Sequence, residues 1–265
     1  MYSILVKLPD GKAAPLIYSL LPTKRADTYR LFIGIVVDAL GGYQPEILHV
    51  DFEIAMVREL EACFPLARVL GCNLHFKQCL WRHIQADSML RDKYLRDDDF
   101  ALDVRMFAAI AFVPEHDVRS AFDTLLESNS IRENNYLLTS FINYFEATWI
   151  GRPRNPATMK IGWWNAHEAT VSAVGRTNNA IEGWHSAFNG RLGATNPTFF
   201  KLVEQLKIEQ GLTEFVIANS LAQGPGAPAK RIYRDRQKRL FEITSSYGNS
   251  SVLNFLRAIA HNISF

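Results

Sequence analysis

The sequence predicts an α/β chain in which a short strand-bearing start gives way to a long helical remainder. Three observations carry this reading. Between Tyr2 and Cys72, short β-rich apolar runs alternate with amphipathic helical patterns. From Asp87 to Ile150 the strand signals vanish and apolar residues recur at helical spacing. Across 265 residues, 48% are hydrophobic and 12% aromatic, enough to build the core of one large domain or two small ones.

Tyr2 to Leu8 and Pro15 to Leu21 are apolar runs separated by the turn signal Pro9-Asp10-Gly11-Lys12, which together predict a β-hairpin. Asp27 can cap a helix starting at Thr28, with Tyr29, Phe32, Ile33, Val36 and Val37 on one face and Gly41-Gly42 as the stop. A strand runs from Ile47 to Val50 and ends at Asp51. The next helix carries Ile54, Val57, Leu60 and Glu61 towards Phe64-Pro65, a short strand spans Ala67 to Cys72, and a helix spans His75 to Gln85. Helices then follow at Phe100–Ala111, Glu115–Leu126 and Asn135–Trp149, with Pro114 at a helix start. Gly151 to Pro156 is a loop. Helices are predicted from Thr177 to about Gly190 and from Pro197 to about Leu221, then, after the break Gly224-Pro225-Gly226-Ala227-Pro228, at Lys230–Tyr247 and Val252–Ile259. The expected organisation is a strand-bearing core at 1–86, a helical insertion at 87–175, a helical pair at 176–222 and a basic helical tail at 223–265.

Charge and cysteine content bound the function. A charged fraction of 21% excludes a disordered chain, and a net charge of +2 means that any nucleic-acid contact must come from local patches. Cys63, Cys72 and Cys79 are an odd number at no disulfide-framework spacing, which fits a reducing, intracellular compartment. No apolar run approaches membrane-spanning length, and Lys7, Pro9 and Asp10 interrupt the N-terminus before any signal-peptide core.

Two stretches carry candidate chemistry. Ile47-Leu48-His49-Val50-Asp51-Phe52-Glu53 ends an apolar run in a carboxylate, and Arg176-Thr177-Asn178-Asn179-Ala180-Ile181-Glu182-Gly183-Trp184-His185 sets Glu182 among polar and aromatic side chains. A strand-end Asp and a helix-borne Glu are what a two-metal nuclease uses to hold divalent ions about 4 Å apart, and hard oxygen ligands select Mg²⁺ or Mn²⁺. Strand carboxyl ends are where open α/β sheets place their ligands. The plainer alternatives are an N-cap role for Asp51 and a solvated helix face for Glu182. Cys72 and His75, in Cys72-Asn73-Leu74-His75, could form half of a zinc site, but no second half occurs, so packing and hydrogen bonding behind the metal site is the preferred role. The basic run Lys230, Arg231, Arg234, Arg236, Lys238 and Arg239 is either a phosphate-contacting face or an ordinary solvated one.

These landmarks together resemble the Mutator-like element (MULE) transposase family. Pro15 to Lys24 (PLIYSLLPTK) is similar to its third-strand segment, His49 to Ala55 (HVDFEIA) to the block with its second catalytic Asp, Gly71 to Gln78 (GCNLHFKQ) to its Cys-x-x-His block, and Thr177 to His185 (TNNAIEGWH) to the block with its catalytic Glu. The resemblance implies a ribonuclease H-like mixed sheet with a helical insertion before the last carboxylate, here 87–150. It implies DNA strand cleavage and transfer at transposon ends with Mg²⁺ or Mn²⁺, in the nucleus, and is compatible with a homo-oligomer. Asp51 and Glu182 would be metal ligands, and Cys72, His75, Asn178 and Asn179 structural support. One departure stands out: the family's first catalytic Asp lies on a first strand upstream of the hairpin, whereas Met1 begins almost at the second strand. Asp10, Asp27 and Asp38 are wrongly placed to replace it. The expectation is therefore a sheet lacking its first strand, in an incomplete transposase catalytic domain. The alternatives are a domesticated remnant that binds DNA or protein without cutting, and a relic.

Overall fold

In the computed structural model, β1 (Tyr2–Lys7) and β2 (Ala13–Ser19) pair as an antiparallel hairpin. The description covers residues 1–172, 179–193, 196–224 and 231–265, with the side chains of Asn179, Ala180, Glu182 and Gln223 outside it. Gly11, at φ +82°, turns the hairpin, because positive φ is open to a residue without Cβ. Leu8 and Lys12 close the turn with a 2.8 Å backbone bond. The register slips between Ile4 and Leu5, which face Ile17 and Pro15. The bulge leaves Leu16 unpaired and admits a proline that a regular ladder would reject.

The chain divides into two compact units that interleave in sequence: 1–28 with 178–230, and 29–177 with 231–265. In the first, the hairpin packs on α11 (Asn179–Leu192) and α12 (Phe199–Gln223). Tyr18 lies against Trp184 with ring centroids 5.9 Å apart, and Trp184 stacks on Phe188 at 5.3 Å. A buried carboxylate ties the two helices: Glu209 of α12 accepts from Trp184 Nε1 at 2.7 Å and from Arg191 at 2.6 Å. An isolated hairpin is marginal in water, so this packing is what orders it.

The second unit begins on α1 (Ala26–Ala39), whose buried residues Tyr29, Phe32, Ile33 and Val36 follow the spacing of one helical face. Asp27 lies inside the first turn, where its Oδ1 accepts from the Thr28 N–H, so it is not the cap that the sequence suggests. Gly41 and Gly42, at φ +58° and +92°, end the helix region. β3 (Ile47–Val50), α2 (Ile54–Cys63) and β4 (Arg68–Gly71) form a β–α–β unit with the two strands parallel and Ile47 opposite Arg68. Parallel strands need such a crossover. Among the described residues the strands form two separate two-stranded sheets, β1–β2 and β3–β4.

α3 (Asn73–Ala86) leads into the helical block: α4 (Ser88–Arg96), α5 (Asp98–Ala109), α6 (Val118–Leu126), α7 (Asn129–Glu133) and α8 (Asn135–Phe145). α8 continues as a π turn over Glu146–Ile150, which ends at Gly151. The core is aromatic: Phe76 stacks on Trp164 at 5.1 Å and meets Trp149 edge-on at 4.8 Å, while Phe107 meets Phe141 and Phe145 at 5.2 and 5.4 Å. The Trp164 indole N–H donates to the Trp149 carbonyl at 3.1 Å, so the buried polar edge is satisfied. α9 (Ile161–Trp164) and α10 (His167–Val171) close this part. The last helices, α13 (Arg231–Ser245) and α14 (Val252–Ala260), are not a free tail: Phe255, Leu256 and Ile259 of α14 are buried in the same core. Among the described residues, no helix is long and apolar enough to cross a membrane.

Candidate functional site

The β–α–β unit places Asp51 one residue past the end of β3. The capping alternative does not hold. The N-cap of α2 is Glu53, whose φ of −94° and ψ of 97° are extended, and Asp51 stands outside that helix start. A backbone bond of 2.8 Å from the Glu53 N–H to the Asp51 carbonyl turns the chain between strand and helix. Tyr29, fully buried on α1, donates its hydroxyl to Glu53 Oε1, which ties the second carboxylate of the stretch to that helix.

The partner of Asp51 comes from the next strand–helix junction. Cys72 is the N-cap residue of α3, fully buried, and its N–H continues the ladder to the Val50 carbonyl at 3.0 Å. One turn into α3, His75 brings Nδ1 to 2.9 Å from Asp51 Oδ1. The Asp51 side chain is 62% exposed and that of His75 29%, so the carboxylate faces solvent with the imidazole behind it. The two blocks read from sequence, His49–Ala55 and Gly71–Gln78, thus meet at one point, with Cys72 buried beneath.

Gly71 makes this approach possible. A Cβ at Gly71 would overlap Phe52 Cε1 and lie 2.5 Å from Phe52 Cζ and 2.7 Å from the Trp163 carbonyl oxygen. The Phe52 ring crosses the Gly71 backbone and meets Trp149 edge-on at 5.1 Å. Trp163 is anchored in turn: its indole N–H donates to Glu61 Oε1 at 2.7 Å, and Lys160 pairs with Glu61 Oε2 at 2.7 Å. Burial pushes the Glu61 carboxyl up, but the bonds from Lys160 and Trp163 outweigh it and the pKa is lowered.

The remaining sequence-derived residues lie elsewhere. Glu182 is on α11 in the first unit, with its side chain outside the described residues. Asn178 lies outside the described residues, as does the side chain of Asn179. Among the described residues, no three His, Cys, Asp or Glu side chains form a group that could hold a metal ion. Asp51 is a hard carboxylate donor that belongs to no such group among the described residues. Burial pushes the Cys79 thiol pKa up, as for a cysteine packed among apolar side chains.

The basic run divides by role. Lys230 lies outside the described residues. Arg231 and Lys238 pair along α13 with Asp235 at 3.5 Å and Glu242 at 3.8 Å. Arg234 is exposed, and Arg236 and Arg239 turn towards the chain segment after α14. The sequence reading missed Tyr29–Glu53, Glu61–Lys160–Trp163 and Glu209–Arg191–Trp184. Of these, only the last had a local cue, the crowding of Trp184 and His185 beside Glu182. Compared with known protein families, curated proteins and solved structures, the chain has no match.

Proposed function

We propose that this chain is a MULE-type transposase catalytic domain of ribonuclease H-like ancestry, in which Asp51 and Glu182 are ligands for Mg²⁺ or Mn²⁺. The observation that carries the reading is the Asp51–His75 junction: a solvent-facing carboxylate at the carboxyl end of a parallel strand, released from capping duty and with an imidazole nitrogen 2.9 Å from one oxygen. A polar group this close behind a ligand biases the ligand's orientation. Two such ions, when bound, would activate the attacking oxygen and stabilise the leaving one in DNA strand cleavage and transfer. The chain's own residues then have separable tasks. Asp51 offers oxygen donors, His75 orients them, and Gly71 lets Phe52 wall the junction.

The test is Mn²⁺ binding by calorimetry, beside a nicking assay on supercoiled DNA. Asp51→Asn and Glu182→Gln should each abolish Mn²⁺ binding while circular dichroism stays unchanged, and His75→Ala should weaken it about 10–100-fold. Mn²⁺ binding that survives both carboxylate substitutions overturns the assignment. A second reading, DNA binding without cleavage, draws on Arg236 and Arg239, which have no carboxylate partner among the described residues. Binding of duplex DNA without metal-dependent nicking in any divalent ion would favour it.

A further inference from the structure

A cleft of about 290 Å³ lies at the junction of α5, α13 and the segment that follows α14, all within the second unit. Its charged lining is of one sign: Arg105 from α5 and Arg236 and Arg239 from α13, with His261 beside them. Among the described residues, no carboxylate lines it. Elsewhere in this unit arginines do find acids, as Arg257 does with Asp99 at 3.6 Å and Asp103 at 3.7 Å. Three converging guanidiniums without a counter-ion repel one another, and Arg236 and Arg239, three positions apart on α13, share a helix face.

The Arg105 and Arg236 guanidiniums are held in place by backbone carbonyls rather than by charge. Arg236 donates Nε to the Asn262 carbonyl at 2.6 Å. Arg105 donates Nε to its own helix at Ala101, 3.2 Å, and Nη1 to the Ile263 carbonyl at 3.5 Å. Lys77 of α3 donates to the Ser264 carbonyl at 2.7 Å and adds a fourth cation beside the cleft. Neutral acceptors fix Arg105 and Arg236 but leave their charge unbalanced. Arg239 makes no hydrogen bond or ion pair among the described residues. The planar forks of arginine match tetrahedral oxyanions through paired N–H donors.

We infer that this cleft is a phosphate-binding site, whose ligand is a phosphate group carried on a nucleic-acid backbone or free in solution. Both sources present the tetrahedral oxyanion that the arginine forks match, and a duplex and inorganic phosphate, titrated separately, tell them apart. The site does not depend on the role of Asp51. The two fail separately, because metal binding at Asp51 and anion binding here have different readouts.

The experiment uses the full chain. Binding of a 20-base-pair duplex is followed by fluorescence anisotropy from 50 to 200 mM salt, and inorganic phosphate is titrated in parallel while the arginine Nε–H resonances are observed. Arg239→Gln, at an exposed side chain with no internal bond, should leave the fold intact and lower the magnitude of the logarithmic salt slope by about 0.9, the loss of one phosphate contact. Arg239→Lys should restore the salt slope but not the affinity, because charge returns without the fork. Saturable phosphate shifts in wild-type that vanish in Arg239→Gln, with DNA binding unchanged, would keep the site and assign it a free phosphate. If Arg239→Gln and Arg236→Gln change neither the salt slope nor the phosphate shifts, the inference is overturned.

Discussion

Gly71→Ala tests the architecture of the Asp51 junction with a single methyl group. The added Cβ would overlap the edge of the Phe52 ring and meet the Trp163 carbonyl oxygen at 2.7 Å. The ring has little room to retreat, since Trp149 stands 5.1 Å away, centroid to centroid. The carbonyl cannot swing freely either, because the Trp163 side chain is tethered to Glu61. Overpacking of this kind costs about 1–3 kcal/mol, and for a unit of this size about 2 kcal/mol lowers Tm by roughly 4–8 °C. The assay is a double-mutant cycle by urea unfolding with Phe52→Ala as the second change. Truncating Phe52 removes one of the two obstructions, so Gly71→Ala should cost about 1 kcal/mol less in that background. The His75 ring resonances should move in Gly71→Ala, because Phe52 adjoins Asp51, and should return towards wild-type in the double variant. Strict additivity of the two changes would refute the argument that Phe52 lies on the Gly71 backbone.

Three further outcomes are expected. Glu209→Ala should destabilise the first unit by about 1–3 kcal/mol, because Trp184 Nε1 and Arg191 lose their acceptor, and hydrogen exchange along α11 should rise; unchanged α11 protection would count against the tie. Burial holds the His83 imidazole, stacked on Tyr144 at 4.2 Å, below its ordinary pKa of 6.5. The unfolded chain therefore binds the proton first, so stability should be full above pH 6.5 and fall as pH drops through the folded value, a dependence that His83→Phe should flatten in Tm scans. Asp103 is the opposite case: burial raises its carboxyl pKa, so stability falls as pH rises from 3.8 through the folded value. Asp103→Asn should raise Tm at pH 7 with Arg257 still paired to Asp99, and a lowered Tm there would mean that the Arg257 contact outweighs burial.

The parts of the fold written in local periodicity were legible. The hairpin, the strand ending at Asp51 and the long helices are all found within a few residues of expectation, because each buries one face at its own period. α4 and α7 were missed because they are short and polar, although Asp87 caps α4 by accepting from the Met89 and Leu90 N–H groups. That cap was a readable signal. The Asp51–His75 contact was half legible: both blocks stood out, but neither announced which atoms would meet. Gly71 carried a cue too, since a glycine within a strand marks a close backbone approach. Glu61 with Trp163 had none, because partners 102 positions apart leave no local trace. The interleaving of the units was hidden for the same reason: contiguous segments were expected where the chain returns to earlier partners.

That interleaving has a consequence for synthesis. The hairpin at 1–28 emerges from the ribosome well before the helices it packs on, which lie at 178–230. At about 5–20 residues per second, roughly 150 intervening residues impose a wait on the order of 8–30 s. For that time the hairpin carries open strand edges, the species most prone to pair with another chain. The second unit is also split, since α14, which packs on α5, is made long after it. Neither unit can close until α12 or α14 has cleared the exit tunnel. A nascent chain stalled before residue 178 should therefore recruit holding chaperones to residues 1–28, and one in which residue 265 has emerged should not.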